Sequence, residues 1–164
     1  MAKVHVTAKR DFLESLTNAK PLDGLAEIIW NGFDAEANHV QVFFELNDMD
    51  GIESIKVRDY GIDREKVESY FGNLGASWKK AQHRQNGRAL HGKNGKGRFK
   101  AFGLGERIEW NTSYKHDGKI YSYKIKGNAL TLDDFDISDP VESKSSTLGT
   151  EVIIYNLRKD FRSL

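Results

Sequence analysis

LAEIIWNGFDAEA, residues 25–37, carries three polar side chains at helical spacing: Glu27, Asn31 and Asp34. At about 100° per residue, these three positions fall within roughly 60° of one another on a helix. The nearby apolar residues cluster on the opposite face, and they are Leu22, Leu25, Ile29 and Phe33. The spacing therefore predicts a helix that packs on one face and presents oxygen atoms on the other.

A carboxylate that lies one helical turn from a neutral amide suits hydrolytic chemistry. Hard cations such as Mg²⁺ prefer oxygen ligands, and a carboxylate can orient an attacking water molecule. Glu27 is therefore a candidate general base, and Asn31 is a candidate magnesium ligand. A solvated helix edge would show the same residue types, so the rest of the chain must decide between the two interpretations.

The composition indicates one soluble globular domain. Of 164 residues, 38% are hydrophobic and 30% are charged, which is enough for a substantial core. The 25 lysines and arginines nearly balance 24 acidic residues, so net charge alone gives no case for a nucleic-acid or membrane partner. The absence of cysteine excludes disulfides and thiolate chemistry. With no long apolar run and no signal-peptide core, we expect a cytoplasmic protein.

Hydrophobic periodicity predicts an α+β fold. Helices are expected over 11–18, from Pro21 to about Ala37, and over 63–74. Strands are expected over 39–46, 52–59, 107–114, 119–126 and 150–157. Helices that precede a run of strands favour a two-layer α/β sandwich with a mixed, mainly antiparallel sheet. We expect a single domain over residues 1–164, in which the aperiodic stretch from about 75 to 98 is a mobile loop.

The predicted strand IESIKVRD, residues 52–59, ends in a carboxylate on its apolar face, because Ile55, Val57 and Asp59 alternate to one side. A buried carboxylate needs hydrogen-bond donors, which an exocyclic amine such as that of adenine can supply. Gly61 follows two residues later, and its lack of a side chain would leave room for a flat ring. Taken alone, the Asp-x-Gly pattern is more often an ordinary strand-to-turn connection.

The segment HGKNGKGRFKAFGLG, residues 91–105, is a candidate anion-binding loop. Its first half contains three glycines and three cationic side chains: Gly92, Gly95, Gly97, Lys93, Lys96 and Arg98. Glycines at a helix start leave backbone N–H groups free to point at phosphate oxygens, and the cations add attraction. The spacing matches neither a Walker A loop nor a dinucleotide fingerprint. A flexible glycine-rich hinge is the alternative interpretation.

Together with Gly149-Thr150 ahead of a strand, the three motifs resemble in order and spacing the nucleotide site of the GHKL ATPases, which have the Bergerat fold. That family includes gyrase, the large heat-shock chaperones, sensor histidine kinases and MutL. The resemblance covers roughly residues 10–158. The strings EIIWNGFDAEA and GASWK, the latter at 75–79, are most similar to the MutL and MORC branches.

The resemblance implies ATP and Mg²⁺ as ligands and hydrolysis as the reaction. Glu27 would be the general base for the water that attacks the γ-phosphate, and Asn31 would hold the magnesium. A lid would close on the phosphates, and it would include Gly92, Lys93, Asn94, Gly95, Lys96, Gly97, Arg98 and Phe99. Phosphoryl transfer mainly requires positioning and charge stabilisation, which such a set of residues can provide.

The same resemblance implies the adenine contacts. Asp59 would accept a hydrogen bond from the adenine amino group, assisted by Thr150, while Gly61 gives the ring room and Asp34 lies at the edge of the site. The sequence departs from the family in one place, because Asp63 stands where a second glycine is usual. An acid there would weaken nucleotide binding, although capping the next helix is an equally good use of Asp63.

A second departure concerns the end of the chain. Relatives such as MutL and gyrase complete the site with a lysine from a following domain, whereas this sequence stops at Leu164. The resemblance therefore implies a fragment of a larger protein, in which ATP drives a conformational change or homodimerisation. Isolated turnover would then be slow or absent.

A cluster of positive charge between Trp78 and Lys100 raises alternative functions. The cluster contains no acidic residue and has eight lysines and arginines: Lys79, Lys80, Arg84, Arg88, Lys93, Lys96, Arg98 and Lys100. Such a segment can attract nucleic acid, although the same charge can serve ATP alone. A nucleic-acid-binding module and a nucleotide sensor without turnover are the two alternatives. The presence of Glu27 argues against a pure sensor.

Overall fold

A computed structural model describes most of the chain: residues 2–5, 10–35, 37–61, 84–85, 88–89, 97–145 and 147–159. The predicted helix over 63–74 lies outside these ranges, as does most of the predicted lid. The predictions made for Asp63 and for Gly92 to Lys96 therefore also lie outside the described residues.

One antiparallel sheet of eight strands forms the first layer of the described fold. Its strands are β1 (Ala2–His5), β2 (Val40–Leu46), β3 (Ile52–Asp59), β6 (Gly105–His116), β7 (Lys119–Asn128), β8 (Asp134–Ile137), β9 (Val141–Glu142) and β10 (Gly149–Leu157). The order is β1-β8-β7-β6-β10-β3-β2, with β9 beside β7. A separate two-stranded ribbon pairs β4 (Arg84–Gln85) with β5 (Arg88–Ala89). The order places β10, late in the sequence, between β3 and β6.

Helices form the second layer and cover one face of the sheet. They are α1 (Arg10–Thr17), α2 (Pro21–Asp34) and the short α3 (Gly97–Lys100), which continues into a 3₁₀ turn at Ala101–Gly103. Helix α2 packs on β2, β3 and α3, while the 3₁₀ turn packs on β6. None of the helices in the described part of the chain combines the length and the hydrophobicity that a membrane crossing requires.

The core lies between these layers, and much of it comes from alternating positions along the strands. On β3, for example, Ile55 and Val57 are buried on the helix side, whereas Lys56 and Arg58 point to the outer face. The largest fully buried side chains are Phe99, Phe102, Phe135, Leu13, Ile55, Leu104, Ile108, Ile125, Ile154 and Leu157. The predicted α+β class and its mainly antiparallel sheet are confirmed, and every pairing between described strands is antiparallel.

Most element predictions for the described residues are confirmed within a few positions. The five predicted strands correspond to β2, β3, β6, β7 and β10. Five short strands were not predicted: β1, β8 and β9, and β4 and β5 within the stretch predicted to be a mobile loop. These strands have only two to four residues each, too few for alternation to distinguish them from a loop.

The predicted packing face of α2 is confirmed only in part. Leu25 and Ile29 are half-buried and pack against the core, whereas Leu22 is 68% exposed. The most buried stripe of the helix is Gly24, Ile28 and Gly32, which is rotated by roughly 100° from the predicted apolar face toward the polar edge. Glycines carry no hydrophobic signal, so an amphipathic pattern does not reveal a face that packs through them.

Close approach explains why glycine occupies this stripe. A Cβ atom built on Gly24 would lie against the backbone carbonyl of Lys100, and one built on Gly32 would lie 2.8 Å from Val40 Cγ2. The absence of side chains therefore brings α2 into direct contact with α3 on one side and with β2 and β3 on the other. These two contacts fix the rotation of α2 and therefore the direction in which its polar edge faces.

The end of α2 also differs from the prediction, which placed it near Ala37. The helix ends at Asp34, and the Ala35 N–H donates to the carbonyls of Asn31 and Gly32. The Ala37 N–H then donates to the Gly32 carbonyl at 3.2 Å, which forms a wider final turn. Ala37 itself is fully buried. The chain thus leaves the helix one turn early, and β2 begins at Val40.

Replacement of Gly24 by alanine tests this packing. Alanine is the better helix former by about 1 kcal/mol, yet here its methyl group would meet a backbone carbonyl. We expect Gly24→Ala to lower the free energy of unfolding by about 1–3 kcal/mol through overpacking. Leu22→Ala, in the same turn, should change it by less than about 0.5 kcal/mol. Chemical denaturation measures the free energy of unfolding of both variants. A larger loss in Leu22→Ala than in Gly24→Ala would contradict the burial of the Gly24 face of α2.

Candidate functional site

A single carboxylate oxygen joins the ends of two neighbouring strands. Asp59 Oδ1, at the end of β3, accepts hydrogen bonds from the backbone N–H groups of Gly61 and Thr150, each at 3.0 Å. The residue is only 9% exposed and lies on the helix side of the sheet, as the alternation of IESIKVRD predicted. Because a buried charge is costly without donors, these two backbone bonds stabilise the carboxylate in this place.

Polar side chains continue from Asp59 across the same face of the sheet. Thr150 on β10 lies directly opposite Thr112 on β6, and their hydroxyl oxygens are 3.1 Å apart. Thr112 is 8% exposed and is thus as buried as Asp59. The three residues form a polar row where the apolar core ends. Thr112 was not among the predicted site residues, because its position depends on strand pairing and not on a local motif.

Two glycines allow the chain to converge on Asp59. Gly149 has a φ of 120°, a conformation that L side chains rarely adopt, and a Cβ there would lie 2.9 Å from the Asp59 carbonyl carbon. A Cβ on Gly61 would meet the backbone carbonyl of Ala35. Close packing against the end of α2 therefore explains why position 61 is a glycine. That Gly61 also leaves room for an adenine ring stays a prediction.

The residue between Asp59 and Gly61 anchors the motif on its other side. The Tyr60 hydroxyl donates to Gln41 Oε1 at 2.8 Å, and its ring stacks on His39 with centroids 4.4 Å apart. The Arg58 guanidinium also lies over the Tyr60 ring, 5.2 Å from its centroid. The aromatic side chain thus holds the turn after β3 against the start of β2.

Helix α2 contacts Asp59 through Gly32, a residue of its buried stripe. A Cβ on Gly32 would lie 2.9 Å from Asp59 Cβ, so the helix backbone contacts the motif directly. Asn31 precedes this contact and is half-buried, and Asp34 follows it and is 5% exposed. The structure therefore brings together two motifs that lie 25 residues or more apart in sequence.

Glu27 lies one turn earlier on the same edge of α2, beside α3. Its side chain is 12% exposed, and its Oε2 is 3.4 Å from Lys100 Nζ. A Cβ on Gly97 would lie against the Glu27 carboxylate, 2.6 Å from its Cγ. The predicted general base is therefore enclosed between two helices, and its ion-pair partner, Lys100, was not predicted.

The described part of the predicted lid is largely packed in the fold. Phe99 is fully buried, and its ring meets Phe135 edge-on at 6.0 Å, so only its backbone could serve a ligand. The Arg98 guanidinium lies 5.3 Å from the Phe99 ring, and burial lowers the pKa of Arg98 to about 10. Arg98 therefore remains a cation at neutral pH. The other predicted lid residues, Gly92, Lys93, Asn94, Gly95 and Lys96, lie outside the described residues.

The described side chains can be tested for a magnesium site. No group of three or more His, Cys, Asp or Glu residues among them lies close enough to hold a metal ion. Mg²⁺ is usually held by one or two protein oxygens together with substrate phosphates. Asn31, which is half-buried and precedes Gly32 on α2, has an amide oxygen of this kind, so its residue type fits the predicted ion.

Comparison with known proteins agrees with this arrangement. Residues 20–153 match the family described as histidine kinase-, DNA gyrase B-, and HSP90-like ATPase. This range includes α2, Asp59, α3 and Thr150. No curated protein is significantly similar to the chain. The family match supports nucleotide binding and assigns the chain to no particular branch. The chain belongs to the histidine kinase-, DNA gyrase B- and HSP90-like ATPases, the GHKL superfamily.

Proposed function

We propose that this domain binds ATP together with Mg²⁺ and hydrolyses its γ-phosphate, with Glu27 as the general base. The contact of Asp59 with Gly32 supports the proposal, because it joins a buried carboxylate to the helix that bears Glu27 and Asn31. The family match supports ATP binding and hydrolysis in general. The residue roles are our own proposal, which rests on the residue types and on the sequence resemblance to the family.

The polar row on the sheet suits adenine as the bound base. An ionised carboxylate only accepts hydrogen bonds, as the Asp59 carboxylate does from the backbone N–H groups of Gly61 and Thr150. Adenine presents an amino group as a donor, whereas guanine presents an oxygen at the same place. The Thr150 hydroxyl can donate or accept, and its contact with Thr112 holds it in the row. Asp59 would thus select the adenine amino group.

The edge of α2 suits the phosphate end. Bound Mg²⁺ would neutralise charge on the phosphate oxygens, and Asn31 is the residue that we propose to hold it. A water oxygen would attack the γ-phosphorus as the bond to the β–γ bridging oxygen breaks. ADP leaves with that oxygen, and Glu27 accepts a proton from the water. Arg98, cationic at neutral pH and next to Gly97, would add positive charge on the lid side.

The finer assignments of the family resemblance belong to the same proposal. We propose a MutL- or MORC-like domain in the cytoplasm, whose ATP cycle drives a conformational change or homodimerisation of a larger protein. The local strings EIIWNGFDAEA and GASWK support that branch. Binding of ATP without turnover, or of nucleic acid at the basic segment between Trp78 and Lys100, are the outcomes against which this proposal is tested.

Asp59→Asn tests the assignment of the base. Asparagine keeps an acceptor for the two backbone N–H groups, but it presents an amide N–H₂ where the adenine amino group needs an acceptor. We expect ATP affinity to fall roughly 5- to 150-fold, the equivalent of about 1–3 kcal/mol. Titration calorimetry with ATP and Mg²⁺ measures the change. Asp136→Asn, exposed on β8, is the control, and wild-type affinity in Asp59→Asn would refute the role.

Glu27→Gln tests the general base. The amide keeps the size of the side chain but cannot accept the proton from water, so the rate of hydrolysis should fall about 10²–10⁴-fold. ATP affinity should stay near the wild-type value. Phosphate release under saturating ATP and Mg²⁺ measures the rate in the intact protein. Glu109→Gln is a matched control, because Glu109 is a similarly buried carboxylate paired with a lysine on the outer face.

An undiminished rate in Glu27→Gln would exclude this role for Glu27. A wild-type protein that binds ATP and releases no phosphate would instead support the nucleotide sensor. Protection of the segment 78–100 by DNA, but not by ATP, would favour the nucleic-acid-binding module.

A further inference from the structure

Two residues of α3, Gly97 and Lys100, lie against the two oxygens of the Glu27 carboxylate. A Cβ on Gly97 would come closest to Glu27 Oε1, whereas Lys100 Nζ lies 3.4 Å from Oε2. Gly97 begins α3 and Lys100 ends it, so the helix contributes its first and last residues to one carboxylate. In the part of the chain that the structure describes, Lys100 makes its ion pair with Glu27.

The backbone of Lys100 is fixed by an independent contact. A Cβ on Gly24 would lie 3.3 Å from the Lys100 carbonyl carbon and closer still to its oxygen. Gly24 of α2 thus packs against Lys100 of α3, and Gly97 of α3 packs against Glu27 of α2. These two contacts set the distance between the helices. The Lys100 side chain, anchored at its backbone, then extends along α2 to the carboxylate three residues from Gly24.

We propose that Lys100 is a positioning residue for Glu27, an inference that rests on the proposed role of Glu27 as general base. A glutamate side chain has several rotamers, and a general base works only when its oxygen meets the proton of the attacking water. The Lys100 ammonium selects the rotamer in which Oε2 faces α3. A 3.4 Å separation is long for a charge-assisted hydrogen bond, as catalytic contacts often are without substrate.

The ion pair could simply join α2 to α3, and a matched pair elsewhere separates this role from positioning. Lys126 Nζ lies 3.9 Å from Glu109 Oε1 on the outer face, and Glu109 is 16% exposed against 12% for Glu27. If only the loss of a lysine–glutamate pair matters, Lys126→Met should resemble Lys100→Met. If Lys100 only joins the two helices, its loss should lower the midpoint of thermal unfolding. It should then affect kcat and the dissociation constant for ATP alike.

The test compares Lys100→Met and Lys100→Gln with Lys100→Arg and Lys126→Met in the full chain. We expect the first two variants to lower kcat about 10- to 100-fold, while the dissociation constant for ATP and Mg²⁺ stays within about twofold. Lys100→Arg should recover most of the rate because it keeps the charge. In a Glu27→Gln background, Lys100→Met should have no further effect, because Lys100 acts through Glu27. Lys126→Met should behave as wild type.

The possible results separate the two proposals. An active wild-type protein with full kcat in Lys100→Met and Lys100→Gln overturns the positioning role and leaves the proposed function intact. The positioning role is also overturned if Lys100→Met lowers kcat as much in the Glu27→Gln variant as in the wild type. Lys100 would then not act through Glu27. A wild-type protein that does not hydrolyse ATP overturns both proposals. If Lys100→Met does not fold, Lys100→Gln and Lys100→Arg decide.

Discussion

The buried carboxylate of Asp59 is the constraint on which the arrangement of the site depends. A charge at 9% exposure is stable only with donors, and the chain supplies two backbone N–H groups to one oxygen. One donor, Gly61, lies two residues after the end of β3, and the other, Thr150, is the second residue of β10 and lies 91 positions from Asp59. Satisfying this group therefore fixes how β3, the turn after it and β10 meet. The polar row of Asp59, Thr150 and Thr112 follows from that junction.

Glycine contacts then bring the helices to this junction. Gly32 seats α2 on Asp59, and Gly24 and Gly97 seat α2 and α3 on each other. At each position a methyl group would meet a backbone or a buried side chain, so close packing and the geometry of the site have the same origin. Helix α2, which bears Glu27 and Asn31, lies against the sheet because small residues let the backbones approach. Overpacking at these positions should thus disturb the site as well as stability.

Much of the fold is predictable from local periodicity, whereas the contacts that complete the site are not. Alternation in IESIKVRD places Asp59 on the buried face, and helical spacing places Glu27, Asn31 and Asp34 on one edge. The most buried stripe of α2 was not predicted, because glycines at positions 24 and 32 give no hydrophobic signal. The Glu27–Lys100 pair joins residues 73 positions apart, and Thr112 meets Thr150 only through strand pairing. No local period encodes such contacts.

In the proposed function, Asp59 binds an adenine base and the α2 residues Glu27 and Asn31 face the phosphates. A crystal structure of the protein with a nonhydrolysable ATP analogue and Mg²⁺ would show both contacts. We expect the adenine amino nitrogen within hydrogen-bond distance of the Asp59 carboxylate, about 2.7–3.2 Å, and the γ-phosphate on the side of Glu27 and Asn31. A nucleotide bound elsewhere, or a base turned away from Asp59, would contradict the proposal.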